Sequence, residues 1–459
     1  MTALAQWWAS CPGTGIALAT DTQRWWPVNG ANANSNLGDD YRRGVISSAG
    51  GGTLKTFIVN LDAAPGASKS YRFQLVINGV ASSTFDITIT GAATTGTATG
   101  SVSLVAGDLI SITCTPSGTP GAANAYCYTE YLPTTAGQYT YPNTIHTASF
   151  LAASRFAQLW HSGAAYGTAA GRGYTSTAPM AATLTDFFIK LRVAPGAGTS
   201  WDFIIEINEA EIAGTAINIA DAATTGSLTG LSVAIAVGDR LTFKCKAKNG
   251  AAANTYVGWG TTIVPSTAGV WALTASSAGG AWSTSAATYC SWSGHNSVGN
   301  NEVFSTTETA ADFPSPATQT LRAVGLAANL NVAAGGGKSW TFVSRVAGSN
   351  GNLTFTISGA ADVQGSDTTN FDSVANGALI DFSVTPSGTP TGGSNTSWGI
   401  ALKDAPQGGN GGGGNKGGQG NGGGNGNGGG NGGGKPRIVR LYGQRKSRAR
   451  PSMLTLGWP

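Results

Sequence analysis

Residues 57–79 read FIVNLDAAPGASKSYRFQLVING, and they decide the fold because the chain writes them three times. Residues 187–209, FFIKLRVAPGAGTSWDFIIEINE, and residues 326–348, LAANLNVAAGGGKSWTFVSRVAG, start 130 and 269 positions later. The aligned anchors are Ala64/Ala194/Ala333, Gly66/Gly196/Gly335, Ser70/Ser200/Ser339, Tyr71/Trp201/Trp340 and Phe73/Phe203/Phe342. Repetition at a fixed period marks a supersecondary unit copied along the chain. Within the first copy Tyr71, Phe73, Leu75 and Ile77 alternate with Arg72, Gln74 and Val76, the period of a half-buried strand. Asn78-Gly79 then offers the two positive-φ residues of a tight hairpin turn, and Phe85, Ile87 and Ile89 begin the return strand.

A second block follows each first block. It reads GAATTGTATGSVSLVAGDLISITC at 91–114 and DAATTGSLTGLSVAIAVGDRLTFKC at 221–245, and it is degenerate at 366–384, SDTTNFDSVANGALIDFSV. Gly107-Asp108 and Gly238-Asp239 become Gly377-Ala378, while PSGTP stands at 116–120 and again at 386–390. Trp26, Trp160 and Trp292 are read as opening the three copies. Short strands punctuated by Gly, Pro and Asn, with no sustained helical period, predict an all-β chain. The expected division is an N-terminal segment 1–14, β-sandwich repeats at 15–135, 136–268 and 269–405, a Gly-rich linker at 406–434 and a basic segment at 435–459.

Composition agrees with a β-rich structural protein. Of 459 residues only 10% are charged, with 69 Gly, 13 Trp, 12 Tyr and 15 Phe. That is far below the ~25% charged residues of an average soluble domain, while aromatics at this level argue against general disorder. The net charge of +4 divides unevenly: 406–459 hold eight Lys and Arg and no acid, so 1–405 are net acidic. Residues 408–434 are 19 Gly in 27, with nothing apolar to bury, and read as a flexible tether. Beyond it Lys435, Arg437, Arg440, Arg445, Lys446, Arg448 and Arg450 precede an apolar end that includes Trp458. This pattern reads either as a solvated basic tail or as a tethered peptide that docks on an acidic protein or nucleic acid.

Chemistry-bearing residues are sparse. Five cysteines show no CxxC spacing, so free thiols are expected, no zinc site and no cofactor. His146, His161 and His295 lie far apart and read as structural, with His161 and His295 following the opening Trp of their copies. Glu206, Glu209 and Glu211 cluster at a hairpin end; a cation or sugar site there is weighed against simple solvation, which is preferred. Asp108 and Asp239 read as turn residues bonding nearby backbone. Trp7, Trp8, Trp25 and Trp26 form two adjacent pairs, and neighbours on a strand face opposite ways. One of each pair is therefore expected exposed or at an interface, a subunit contact before a sugar platform. Met1–Trp8 lack a basic n-region and an apolar core, so no secretory leader is expected, and no stretch is long and apolar enough to span a membrane.

The strand–Val-Ala-Gly-Asp-Leu-Ile-Ser-Ile unit resembles the late hairpin of C1q/TNF-like jelly rolls. The combination of APGxGxS with AGD and PSGTP resembles repeats of phage and virus virion structural proteins, in fibres and head decorations. The resemblance implies three tandem jelly rolls, a trimeric habit and virion proteins such as capsid or fibre subunits as partners. The expectation is a non-enzymatic virion component, assembled in a host cytoplasm, and a trimer or an intramolecular pseudo-trimer. The alternatives are an adhesin, of a phage or a bacterial surface, that binds host-surface glycan, and a polysaccharide-degrading enzyme. Nucleic acid is expected as a partner only through the basic tail.

Overall fold

The computed structural model describes residues 5–10, 16–30, 44–46, 51–145, 154–161, 174–248, 256–277, 281–296, 304–308, 313–314, 320–391, 393 and 396–405. Six sheets carry the chain, and one strand order recurs three times. The first sheet runs Gln6–Ser10, Asn124–Pro133, Gly52–Leu61, Thr95–Leu104; facing it are Arg24–Trp26, Leu109–Ser117, Gly66–Ile77, Val80–Gly91. The third sheet runs Tyr139–Ile145, Val257–Pro265, Ala182–Leu191, Thr225–Leu228, and the fourth Arg155–Gln158, Arg240–Lys248, Gly196–Ile207, Ala210–Glu211. The last two centre on Val270–Ser277, Ser397–Asp404, Leu321–Asn329, Gln364–Asp367 and on Thr288–Cys290, Leu379–Ser387, Gly335–Val346, Ser349–Gly359. The pairings are antiparallel among the described strands, except Gly294–Asn296, which runs parallel to Val270–Ser277.

Register shows why the sequence anchors recur. Phe73 lies opposite Cys114, Phe203 opposite Cys245 and Phe342 opposite Val384, and all three rings are fully buried. A bulge falls at Leu54/Thr56, Leu184/Asp186 and Ala323/Gly325, and another after Gly66, Gly196 and Gly335. Those glycines hold φ of 99°, 102° and 103°, where a Cβ is strongly disfavoured, so the third copy keeps Gly335 although it loses the preceding Pro. The hairpin turn is as read: Asn78 and Gly79 have φ of 51° and 82°.

The facing sheets of each pair close on aromatic rings. Across the second pair Phe243 stacks on Trp259 at 4.6 Å, and across the third Phe382 meets Trp398 at 5.5 Å; in the first pair Trp26 meets Phe73 edge-on at 6.2 Å within one sheet. Burying one such ring contributes about 1.5–3 kcal/mol before packing is counted.

The strands differ from the sequence division in two places. Gln6–Ser10, ahead of the boundary drawn at 14, is a strand of the first sheet, paired with Asn124–Pro133. The opening tryptophans are not equivalent: Trp26 lies opposite Ile112, whereas the matching positions opposite Phe243 and Phe382 are Ala157 and Cys290. The matching aromatic set is one residue earlier, Trp25, Phe156 and Tyr289, on the sheets' other face. Residues 1–407 form one compact unit, so the sheet pairs pack together rather than standing as separate beads.

Candidate functional site: the junctions between sheet pairs

An edge strand leaves a row of N–H and C=O groups without a ladder partner, and burying them unpaired is costly. Three outer strands, Gln6–Ser10, Tyr139–Ile145 and Val270–Ser277, the last open on its outer side only ahead of Ala275, where Gly294–Asn296 begins to pair with it, solve this with one another. The outward groups of Thr140 are both taken by the first edge strand: its N–H donates to Gln6 Oε1 at 3.0 Å, and its carbonyl accepts from Trp8 Nε1 at 2.8 Å. One repeat later the N–H of Ala272 donates to Tyr141 Oη at 2.9 Å. Trp8 and Tyr141 are the same register position, as are Thr140 and Ala272, so one position reaches the next edge strand in both junctions. Val270–Ser277 in turn lies against Gln6–Ser10, so each of the three edge strands touches the other two. Trp8 is held by stacking on Tyr131 at 4.7 Å and Tyr141 by stacking on Trp160 at 5.3 Å.

Around these strands the junctions are lined with neutral polar groups. Asn29 Nδ2 donates to Asn143 Oδ1 at 3.0 Å and to the Trp160 carbonyl at 2.8 Å. His161 is fully buried, its Nδ1 2.9 Å from Thr274 Oγ1 and its Nε2 3.4 Å from Ser276 Oγ. Thr175 and Thr177 hydroxyls meet Ser397 Oγ at 2.9 and 2.7 Å, and Asn329 Nδ2 donates to Thr177 Oγ1 and to the Gly238 carbonyl. Hydroxyls and amides cost less to desolvate than ions and still satisfy buried backbone. The low charge of the sequence is spent here, on contacts inside the chain.

Trp7 and Trp8 are each 1% exposed, so neither offers a surface to another chain. Trp8 faces the first sandwich, and Trp7, on the opposite side of the strand, joins the core cluster that holds Tyr139 and Trp271. The second pair keeps the expected alternation, with Trp26 buried and Trp25 half-buried. Two of the matching outward aromatics lie beneath cations: Lys244 Nζ is 5.2 Å from the Phe156 ring, and the Arg345 guanidinium is 5.4 Å from Tyr289. His161 corresponds in register to Gly294, not to His295, so the two histidines are not equivalent; His146 lies outside the described residues.

The glutamates are committed to structure. Glu206 and Glu211 are cross-strand partners, and Lys244 Nζ sits 2.9 Å from a carboxylate oxygen of each. Burial works to lower the Lys244 pKa, but hydrogen bonds to both carboxylates outweigh it and raise it. Glu209, in the turn, pairs with Arg240 at 3.2 Å. Asp108 and Asp239 do bond backbone three residues back, at Val105 and Ala236, and they do more. Each accepts from the Asn of the neighbouring hairpin, Asn78 or Asn208, at 2.7 Å, and that Asn accepts from the N–H of Leu109 or Arg240. In the third pair Ala347 and Ala378 replace both side chains, and a backbone bond from Ala347 to the Leu379 carbonyl remains.

Cys114, Cys127, Cys245 and Cys290 are buried free thiols, and burial raises Cys114, Cys245 and Cys290 well above the ordinary thiol range. Cys11, the Gly-rich segment 406–434, and the tail residues Lys435, Arg437, Arg440, Arg445, Lys446, Arg448, Arg450 and Trp458 lie outside the described residues. Among the described residues, no group of three His, Cys, Asp or Glu is placed to hold a metal, and no helix is long and apolar enough to cross a membrane. No protein-family model and no curated protein matches the chain.

Proposed function

We propose that this chain is a non-enzymatic structural component of a virus particle, a capsid decoration or a head or tail fibre protein, built as a single-chain pseudo-trimer of jelly rolls. The observation that carries this reading is the mutual capping of the three edge strands, Trp8 to Thr140 and Ala272 to Tyr141. Three like strands, each against the other two, are an arrangement that a closed threefold assembly of separate subunits would also bring together, so the contact supports a pseudo-trimer. Supporting the jelly-roll reading, the eight principal strands of the first sandwich, taken in chain order, lie 1-8-3-6 in one sheet and 2-7-4-5 in the other. Such a body presents a rigid, repeated exterior and leaves attachment to the tail. Eight cations without an acid, carried on a Gly-rich tether, suit capture of an acidic neighbour or of nucleic acid.

The test is truncation after Gln407, with incorporation into particles, or co-sedimentation with them, measured at low and high salt. Loss of incorporation on truncation, and salt-sensitive attachment of the full chain, support the reading. Unchanged incorporation of the truncated chain overturns attachment through the tail.

A further inference from the structure

One row of the third sheet pair carries charge where the other two pairs carry none. Counted from the shared bulge, Lys403 lies opposite Arg322, and the same two positions are Val264 and Thr183 in the second pair and Leu132 and Thr53 in the first. Partners directly across an antiparallel pair project from the same face, where two like charges repel. The side chains of Lys403 and Arg322 form no hydrogen bond or ion pair among the described residues. Arg322 rests on the Phe371 ring at 4.5 Å, with its Nε–H buried and without an acceptor. Beside Lys403 a cavity of about 350 Å³ opens between this face and the second pair. Met180, Val237, Val270 and Val324 give it hydrocarbon walls, Ser266 and Thr267 add hydroxyls, and Lys403 is the one charged residue in its described lining.

We propose that this cavity binds a small aliphatic carboxylate, its hydrocarbon chain in the hollow and its carboxylate on Lys403. An ammonium in the wall of a largely apolar hollow selects a ligand with one anionic end and an apolar body, because an ion pair strengthens where water is excluded. Arg322, on the same face but outside the lining, adds a second positive charge to the field at that end. A bound carboxylate balances the repulsion that the Lys403–Arg322 row otherwise carries. The described lining holds no aromatic ring on which a nucleobase could stack. At the ~30 Å³ that a water molecule takes in the liquid, the volume admits about a dozen non-hydrogen atoms, the size of a medium-chain acid such as octanoate. The site is independent of how the protein attaches to a particle, and it stands or falls separately.

The experiment titrates the full chain with octanoate, 1-octanol and acetate at neutral pH and low salt, following the Met180 methyl resonance by NMR. Met180 is buried in the cavity wall and is one of three methionines in the chain, so its signal reads this site directly. Octanoate is expected to shift that resonance saturably. It is expected to bind about tenfold tighter than octanol, which lacks the charge, and than acetate, which lacks the chain. Lys403→Met is expected to weaken octanoate about tenfold and to leave octanol unchanged. Octanoate binding no tighter than octanol overturns the proposal, as does acetate binding equally well, an unmoved Met180 methyl, or full octanoate affinity in Lys403→Met. Should that variant lose its fold, the three-ligand comparison on the unaltered protein still decides.

Discussion

Replacing Tyr141 with Phe removes one oxygen and nothing else, and that oxygen accepts the Ala272 N–H at 2.9 Å. The ring still stacks on Trp160 at 5.3 Å and 15°, so transfer and packing terms hardly change. What is lost is the partner of a buried edge-strand amide, which costs about 1–3 kcal/mol. Spread over ~400 cooperative residues at ~2.1 cal/mol/K each, this lowers the melting midpoint by roughly 1–4 °C. Amide exchange reads it more sharply. If the loss is local to Val270–Ser277, exchange of the Ala272 amide accelerates about 5- to 150-fold. Tyr139→Phe is the matched control: the Tyr139 hydroxyl is buried with no hydrogen-bond partner among the described residues, so its removal should be neutral or stabilising. Equal midpoints and equal exchange in the two variants would refute the view that edge-strand capping holds the junction.

Three further outcomes follow from the same contacts. Phe73→Ala and Phe342→Ala should each cost about 3–5 kcal/mol in chemical denaturation, since both rings are fully buried at matching register positions; a large difference between them would break the equivalence. Asp239→Ala should cost about 1–2 kcal/mol by releasing Asn208 and the Ala236 N–H, while Ala347→Asn with Ala378→Asp should restore part of that amount to the third pair, read by urea midpoints. Burial works to raise the Asp367 carboxyl, but bonds from the Asn370 amide and from the Thr354, Thr369 and Asn370 N–H groups hold it well below the usual carboxylate range. Its folded pKa is therefore depressed, so its stabilisation is complete above the unfolded value of ~3.9 and is lost as pH falls below that toward the folded value. Asp367→Asn should flatten the acid limb of a stability–pH curve.

The sequence by itself determined the strands, their alternation, the hairpin turns and the threefold copying. Each of these is local, a period of two or a positive-φ pair that Asn-Gly supplies wherever it falls. The Gly66 series was legible for the same reason, because φ near 100° restricts the residue whatever surrounds it. Asp108 and Asp239 were legible as turn residues, but their bonds to Asn78 and Asn208 cross about 30 positions and left no local mark. The tertiary structure alone decided which residues meet across repeats. Trp7 and Trp8 looked like a surface pair because alternation sends one of them outward; what lay outside was the next repeat, not solvent or another chain. Gln6 and Tyr141 carry no signal at all, since capping an edge strand depends on where a second strand lies. Periodicity is written along the chain, while a junction belongs to the distances between strands that no run of residues encodes.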